Sequence, residues 1–110
     1  MNTTEALRNL PRPVRLVDLP GGGSVHVRAV TLAELRRIDA RALDVADAGE
    51  RAVRTAELLC AVALARPDGT PMFSADPSAD ELAAVGDLTP GQLEEIAAAA
   101  VPSKAVAKNS

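Results

Sequence analysis

The 110-residue sequence is poor in the residue types from which metal centres and active sites are built. It contains one cysteine, one histidine and one phenylalanine, with no tryptophan or tyrosine. A single cysteine excludes an internal disulfide. A zinc site needs three or four ligands, and Cys60 with His26 supplies too few. We therefore expect no metal, no cofactor and no catalytic residue.

Two features resemble parts of functional sites, a nucleophilic cysteine and a phosphate-binding loop, but their sequence contexts argue against both. Cys60 lies in the apolar run LLCAVALA, where burial raises a thiol pKa and disfavours a nucleophilic thiolate. The triplet Gly21-Gly22-Gly23 is not followed by the Lys-Ser or Lys-Thr pair of a phosphate-binding loop. We interpret the cysteine as a core residue and the glycines as a hairpin turn.

Long hydrophobic runs are also missing. No segment approaches the roughly 18 apolar residues of a membrane span. The start, MNTTEALRNLPRP, lacks the basic and apolar regions of a signal peptide. We therefore expect no membrane partner and a cytoplasmic location.

Charge is distributed unevenly along the chain. Residues 1–66 hold ten arginines and eight acids, whereas residues 67–110 hold two lysines and seven acids. The acidic second half argues against a nucleic-acid-binding surface there.

The first part of the chain predicts a β-hairpin. Val14 and Leu16 alternate with polar residues, as do Val25 and Val27, around a Gly-rich connection. A lone hairpin is marginal in water, so its apolar face should pack on a helix. We interpret residues 1–13 as a flexible arm, with at most one helical turn at 4–10.

Two long helices should follow the hairpin. Thr31 and Glu34 form a capping box that opens a helix to about Ala46. A second helix should run from about Glu50 to Ala65 and be the most buried element, because its second half is apolar nearly all round. The expected buried positions are Leu35, Ile38, Ala42 and Val45, then Val53, Ala56, Leu59, Cys60, Ala63 and Leu64.

The last third predicts a tight turn and two short helices. Pro67-Asp68-Gly69 is typical of a turn, after which an extended Met72-Phe73 segment should fold back on the second helix. Capping boxes beginning at Ser78 and Thr89 each open a helix. We therefore predict a mainly helical α+β fold, with the hairpin packed on about four helices in one domain over residues 14–101. Residues 102–110 should be a disordered tail.

Apolar residues of this last third are the candidates for partner contact or for core anchors. They are Met72, Phe73, Leu82, Val85, Leu88, Leu93 and Ile96. Phe73, as the sole aromatic residue, should fill the gap between the second long helix and the two short ones.

The order of motifs over the last two thirds of the chain resembles the tail assembly chaperones of long-tailed bacteriophages and their prophage relatives. The opening Thr-Leu-x-Glu-Leu of residues 31–35 is followed by an Asp68-Gly69 turn and a Phe73-Ser74 pair. Leu82 then precedes Gly86, and Leu-Thr-Pro of residues 88–90 introduces the last helix. The family often has Asp-Glu-Asp-Gly at the turn, whereas this chain has Arg-Pro-Asp-Gly.

The resemblance implies that the protein is not an enzyme but a non-structural assembly factor in the cytoplasm of a bacterial host. It would bind the tape measure protein, a long and apolar helical chain, while tail tube protein subunits polymerise around it. The family supplies no catalytic residue to carry over. Self-association stays open.

The resemblance also implies a longer form made by a −1 ribosomal frameshift near the end of the gene. Ala107-Lys108-Asn109 can be encoded by the slippery run A-AAA-AAC when the alanine codon is GCA. We therefore hypothesise a slip over Lys108 and Asn109, beside the alternative that these residues are an ordinary polar C-terminus.

Two other functions stay open from the residues alone. Residues 31–65 also fit a helix-turn-helix DNA-binding regulator, with Arg51 and Arg54 on its recognition helix. A small cellular adaptor domain is the second. The ill-defined connection between the helices and the apolar character of the second helix argue against DNA binding.

Overall fold

A computed structural model describes residue 3 and residues 12–101 of the chain. The strands are β1 (Val14–Asp18), β2 (Ser24–Arg28) and β3 (Leu64–Ala65), and the helices are α1 (Leu32–Ala42), α2 (Ala48–Ala63), α3 (Ala79–Val85) and α4 (Pro90–Ala100). The three strands form one antiparallel sheet in the order β1-β2-β3. Over this part of the chain, the predicted α+β fold with four helices is confirmed. The predicted division into two long and two short helices is wrong, because α2 has 16 residues, α1 and α4 have 11 each, and α3 has 7. The proposed turn at 4–10, the tail at 102–110 and the frameshift position lie outside the described residues.

The hairpin forms where it was predicted, but its strands do not place all their apolar residues on one face. Pro20 and Gly21, whose φ is +89°, make the tight turn, and the amide of Leu19 donates to the carbonyl of Gly23 at 3.0 Å. Leu16 lies opposite His26, and directly opposed residues share a face of the sheet. Val27 is 1% exposed on the core side, whereas Leu16 is 61% exposed on the other.

The second long helix ends two residues earlier than predicted, because its last apolar residues join the sheet. Leu64 has an extended backbone, with ψ of 133°, and pairs with Val27 of β2. The following Arg66 precedes a proline, which disfavours a helical conformation. Leu64 and Ala65 are therefore buried as a short strand, which periodicity alone did not predict.

The first long helix also ends early. The predicted end at Ala46 is wrong: α1 stops at Ala42, and the amides of Asp44 and Val45 donate to Arg41 and Ala42 in a tighter turn. The Asp47 side chain then accepts from the Glu50 amide at 2.9 Å and caps α2. This cap starts α2 at Ala48, two residues before the predicted start.

All three predicted capping boxes are confirmed. In each, the hydroxyl of the first residue accepts from the backbone amide three residues later at 3.2 Å. The later side chain accepts from the amide of the first residue at 2.9 Å. The pairs are Thr31 with Glu34, Ser78 with Glu81, and Thr89 with Gln92. These reciprocal bonds satisfy helix-end donors and fix where α1, α3 and α4 begin.

The core surrounds the second half of α2. Helix α4 packs on α2 and on the hairpin, while α1 and α3 each pack on α2. Leu58 is 1% exposed at its centre, a position that the predicted stripe left out. Val53, which that stripe included, is 59% exposed. The two residues lie about 140° apart around the helix, so they do not share a face.

Candidate partner-binding surface

Three of the seven candidate residues belong to the core. Leu82 and Val85 of α3 are 6% and 1% exposed, and Ile96 of α4 is fully buried. Burying such side chains against α2 removes apolar surface from water and stabilises the fold. These three residues therefore anchor the core and are not accessible to a partner.

The other four candidates lie at the edge of the core. Phe73, Leu88 and Leu93 are half-buried and pack against the core cluster, while Met72 is 40% exposed. Phe73 therefore contacts the core, but it is not the fully enclosed plug that its status as sole aromatic suggested. Part of its ring stays open to solvent.

The Phe73-Ser74 pair is held by the first turn of α3. The Ser74 amide donates to Glu81 Oε2 at 3.1 Å, and the Ser74 hydroxyl donates to Oε1 of the same carboxylate. Glu81 also accepts from the Ser78 amide. The hydrogen bonds from Ser74 and then Ser78 hold the pKa of Glu81 below its usual value. This carboxylate therefore links the loop before α3 to that helix. The sequence predicted only its part in the capping box with Ser78.

A groove opens between α1, the second half of α2 and the loop Ala75–Pro77. It has a volume of about 440 Å³. Ile38, Leu58 and Val62 form its apolar floor. The remaining lining residues are Glu34, Arg37, Ala40, Arg41, Ala75, Asp76 and Pro77. The groove therefore combines an apolar floor with a charged rim.

Two ion pairs brace the rim of this groove. Arg12 makes a bidentate pair with Glu34, at 3.0 and 3.1 Å, and the Glu34 side chain is only 11% exposed. Arg41 reaches Asp76 at 2.8 Å and so links α1 to the loop wall. The Arg41–Asp76 pair is exposed and adds little to stability, so we assign it a mainly positioning role. Arg37 is exposed and makes no ion pair within residues 12–101.

The reactive side-chain types, cysteine and histidine, do not line the groove. Cys60 is fully buried in α2, its thiol 3.5 Å from the Leu93 carbonyl, and burial raises its pKa to about 12. The thiol is therefore protonated at neutral pH. His26 is half-buried on β2. Among the described residues, no group of three or more histidine, cysteine, aspartate or glutamate side chains is placed to hold a metal.

The arginines of the proposed recognition helix are engaged within the chain. Arg51 donates to the backbone carbonyl of Val45 at 2.9 Å and to that of Ala46 at 3.3 Å. Arg54 pairs with Glu57 at 3.3 Å on the same helix. Arg51 thus closes the connection between α1 and α2 instead of projecting from it, which weighs against a helix-turn-helix.

No protein-family model matches the chain, and no curated protein or solved structure matches it. The resemblance to tail assembly chaperones therefore rests on the sequence motifs alone. Among the residues described, no helix has the length and apolar character needed to cross a bilayer.

Proposed function

We propose that this protein is a non-catalytic tail assembly chaperone that binds the tape measure protein and assists tail tube assembly in the bacterial cytoplasm. The observation that carries the proposal is the apolar-floored groove beside α1. The Thr-Leu-x-Glu-Leu opening of that helix is the first motif of the resemblance, and its Glu34 lines the groove. A groove between two helices suits an amphipathic helical chain.

The motifs of the resemblance also have a physical role around this groove. Glu81 holds Ser74, and the loop that follows Ser74 carries Ala75, Asp76 and Pro77 along the groove wall. Phe73, packed against the core on the other side of Ser74, anchors the same loop. The Phe-Ser pair would thus position the wall of the groove and need not contact the partner itself.

The shallow shape of the groove fits the requirements of an assembly chaperone. Its floor residues are already at least nine-tenths buried, so a bound helix would cover little further apolar area. Affinity is the surplus that remains after the costs of association, so a small contact gives weak binding. Weak, sequence-tolerant binding would let the protein hold successive helical segments and yield them to tube subunits.

The test is co-expression with the tape measure protein of the same genome. We expect a higher soluble yield of the tape measure protein, and co-purification of the two. The absence of both effects would contradict the proposal. Salt-dependent binding to duplex DNA would favour the DNA-binding regulator instead. A tape measure gene directly downstream would provide independent support.

The frameshift hypothesis is tested by reading the gene. A GCA-AAA-AAC run at codons 107–109, with an open −1 frame beyond it, is the expected result. A non-slippery run or an immediate stop in that frame would contradict a slip over Lys108 and Asn109.

A further inference from the structure

We propose that two copies of this chain associate through the outer edge of β1, so that their sheets join into one. The inference goes beyond the proposed function and does not depend on it. No residue that lines the groove beside α1 belongs to β1 or α4, so self-association uses a different surface. Strand β1 is the first in the order β1-β2-β3, and its outer edge therefore faces no other strand of this sheet.

The backbone of β1 presents unbonded amides and carbonyls along this edge. In an antiparallel pair of strands, residues that bond across the pair alternate with residues that do not. The amide of Leu19 donates to the carbonyl of Gly23 at 3.0 Å, so the odd-numbered residues of β1 bond toward β2. The amides and carbonyls that point outward are those of Val14, Leu16 and Asp18. No hydrogen bond joins these groups to another residue of 12–101.

The edge is also accessible and has an apolar centre. Leu16 is 61% exposed, and β1 contains no proline, no lysine and no break in its register with β2. Prolines, lysines and bulges are devices that keep edge strands from pairing. A groove of about 270 Å³ separates this edge from α4, and the small side chains of Ala98 and Ala99 line it. An added strand therefore has room for its side chains.

One residue of β1 restricts which strand can be added. Arg15 lies opposite Val27 and so on the core side of the sheet. A charge on that side disfavours pairing unless an opposite charge accompanies it. Glu95 of α4 lines the same groove as Arg15. Both side chains are exposed, and neither makes an ion pair within residues 12–101.

The sequence of β1 fits an antiparallel copy of itself. When the two Leu16 residues lie opposite each other on a two-fold axis, Val14 lies opposite Asp18 of the other copy. All three edge residues of each strand then take part in hydrogen-bonded pairs. The two Leu16 side chains also contact each other on the outer face of the sheet, which removes exposed apolar surface from water.

The same register brings opposite charges together. Arg15 of one copy lies opposite Val17 of the other. Helix α4 begins beside the hairpin turn, where the Gln92 side chain donates to the carbonyl of Pro20 at 3.1 Å. Glu95, one turn further along α4, is therefore level with Val17 and faces the incoming Arg15. A second copy thus supplies an apolar residue and a cation where this edge requires them, and we assign the edge to self-association.

Analytical ultracentrifugation of the full chain tests the association. We expect the mass to rise from that of one chain, 11.4 kDa, toward twice that value as the concentration approaches about 1 mM. Leu16→Lys should weaken the dimer at least about tenfold, because two lysines would lie directly opposite each other. Val53→Lys is the control, since Val53 is 59% exposed on α2, and it should leave the dimer within about twofold. A monomeric wild type, or equal effects of the two variants, would overturn the proposal.

Charge reversals test the register. Arg15→Glu and Glu95→Arg should each weaken self-association at least about tenfold, because each places like charges together in its own dimer. An equimolar mixture of the two variants should associate as the wild type does, since both ion pairs of the mixed dimer then join opposite charges. Glu94→Arg, at the adjacent exposed position that does not line the groove, should have little effect. Failure of the mixture to associate would contradict the proposed pairing.

A monomeric wild type would point to a different occupant of the edge. If Leu16→Lys then abolished co-purification with the tape measure protein, the edge would pair with an extended segment of that protein and the proposal would be wrong. If the monomer and its Leu16→Lys variant both retained co-purification, the proposed chaperone function would stand and self-association through β1 would be refuted.

Discussion

The side chains on both sides of helix α2 are buried, but the two sides differ in what lies over them. On one side, α3 and α4 cover it, and Cys60, Val85 and Ile96 are each at most 1% exposed. On the other side, α1 and the loop Ala75–Pro77 leave a groove whose rim carries charged side chains. The helix thus contributes core residues on both sides, and on one side these residues also form the floor of an open groove. Large losses of stability should follow changes on the closed side, and losses of binding should follow changes on the open side.

The largest expected effect on stability comes from the closed side. Ile96→Ala should lower the free energy of unfolding by about 2–5 kcal/mol, because the side chain is fully buried and its removal leaves a cavity. Chemical denaturation followed by circular dichroism measures this. A loss below about 1 kcal/mol would mean that α4 packs loosely on α2, and the contrast between the two sides would fail.

A smaller loss is expected for Phe73, which lies where the two sides meet. Because its ring is half-buried, Phe73→Ala should cost about 1–3 kcal/mol, less than a fully buried phenylalanine. The same variant should loosen the loop wall of the groove. Hydrogen exchange of the Ser74 amide, which donates to Glu81, should therefore speed up, and unchanged exchange would contradict an anchoring role for the ring.

The carboxylate that fixes this loop gives a pH dependence. Glu81 has a lowered pKa in the folded protein, so its contribution to stability is present above the ordinary glutamate pKa of about 4.3. That contribution should be lost as the pH falls through the lowered value. In Glu81→Gln, the loss of stability on acidification should be smaller than in the wild type.

Asp68→Asn is the variant to compare with Glu81→Gln. The pKa of Asp68 is also lowered, chiefly by the hydrogen bond from the Thr70 side chain within its own turn. This variant should likewise reduce the loss of stability on acidification, because it removes a carboxyl group whose pKa is lowered by folding. An acid limb unaffected by Glu81→Gln would contradict the hydrogen bonds that join Ser74 to α3.

The smallest effect on stability is expected on the open side. Ala40→Trp should change the free energy of unfolding by no more than about 0.5 kcal/mol, because Ala40 is exposed and the groove has room for a larger side chain. Thermal unfolding beside the Ala52→Trp variant tests this. A loss above about 2 kcal/mol would show that the rim supports the core and is not a free surface.

Features that depend on near neighbours in the sequence were predictable. The capping boxes at Thr31, Ser78 and Thr89 each involve residues three apart, and the Gly69 turn requires only a local positive φ. The central position of α2 also followed from its apolar second half. These signals were enough for the α+β architecture.

Features that depend on tertiary pairing were not predictable. Leu64 continues the helical apolar pattern, and only its pairing with Val27 makes it a strand. Val53 fits the same apolar pattern but lies beyond the reach of the packed helices. The groove requires α1, α2 and the loop to meet, so no local motif revealed its floor of Ile38, Leu58 and Val62.

The most direct test of the account compares how much tape measure protein stays soluble when it is co-expressed with the wild type, Ala40→Trp or Ala52→Trp. The two variants place the same side chain on exposed helix positions inside and outside the groove. We predict that the wild type and Ala52→Trp raise the soluble yield and co-purify with the tape measure protein, while Ala40→Trp does neither although it remains folded. Equal activity of all three proteins, or of none, would contradict a chaperone that acts through the open side of α2.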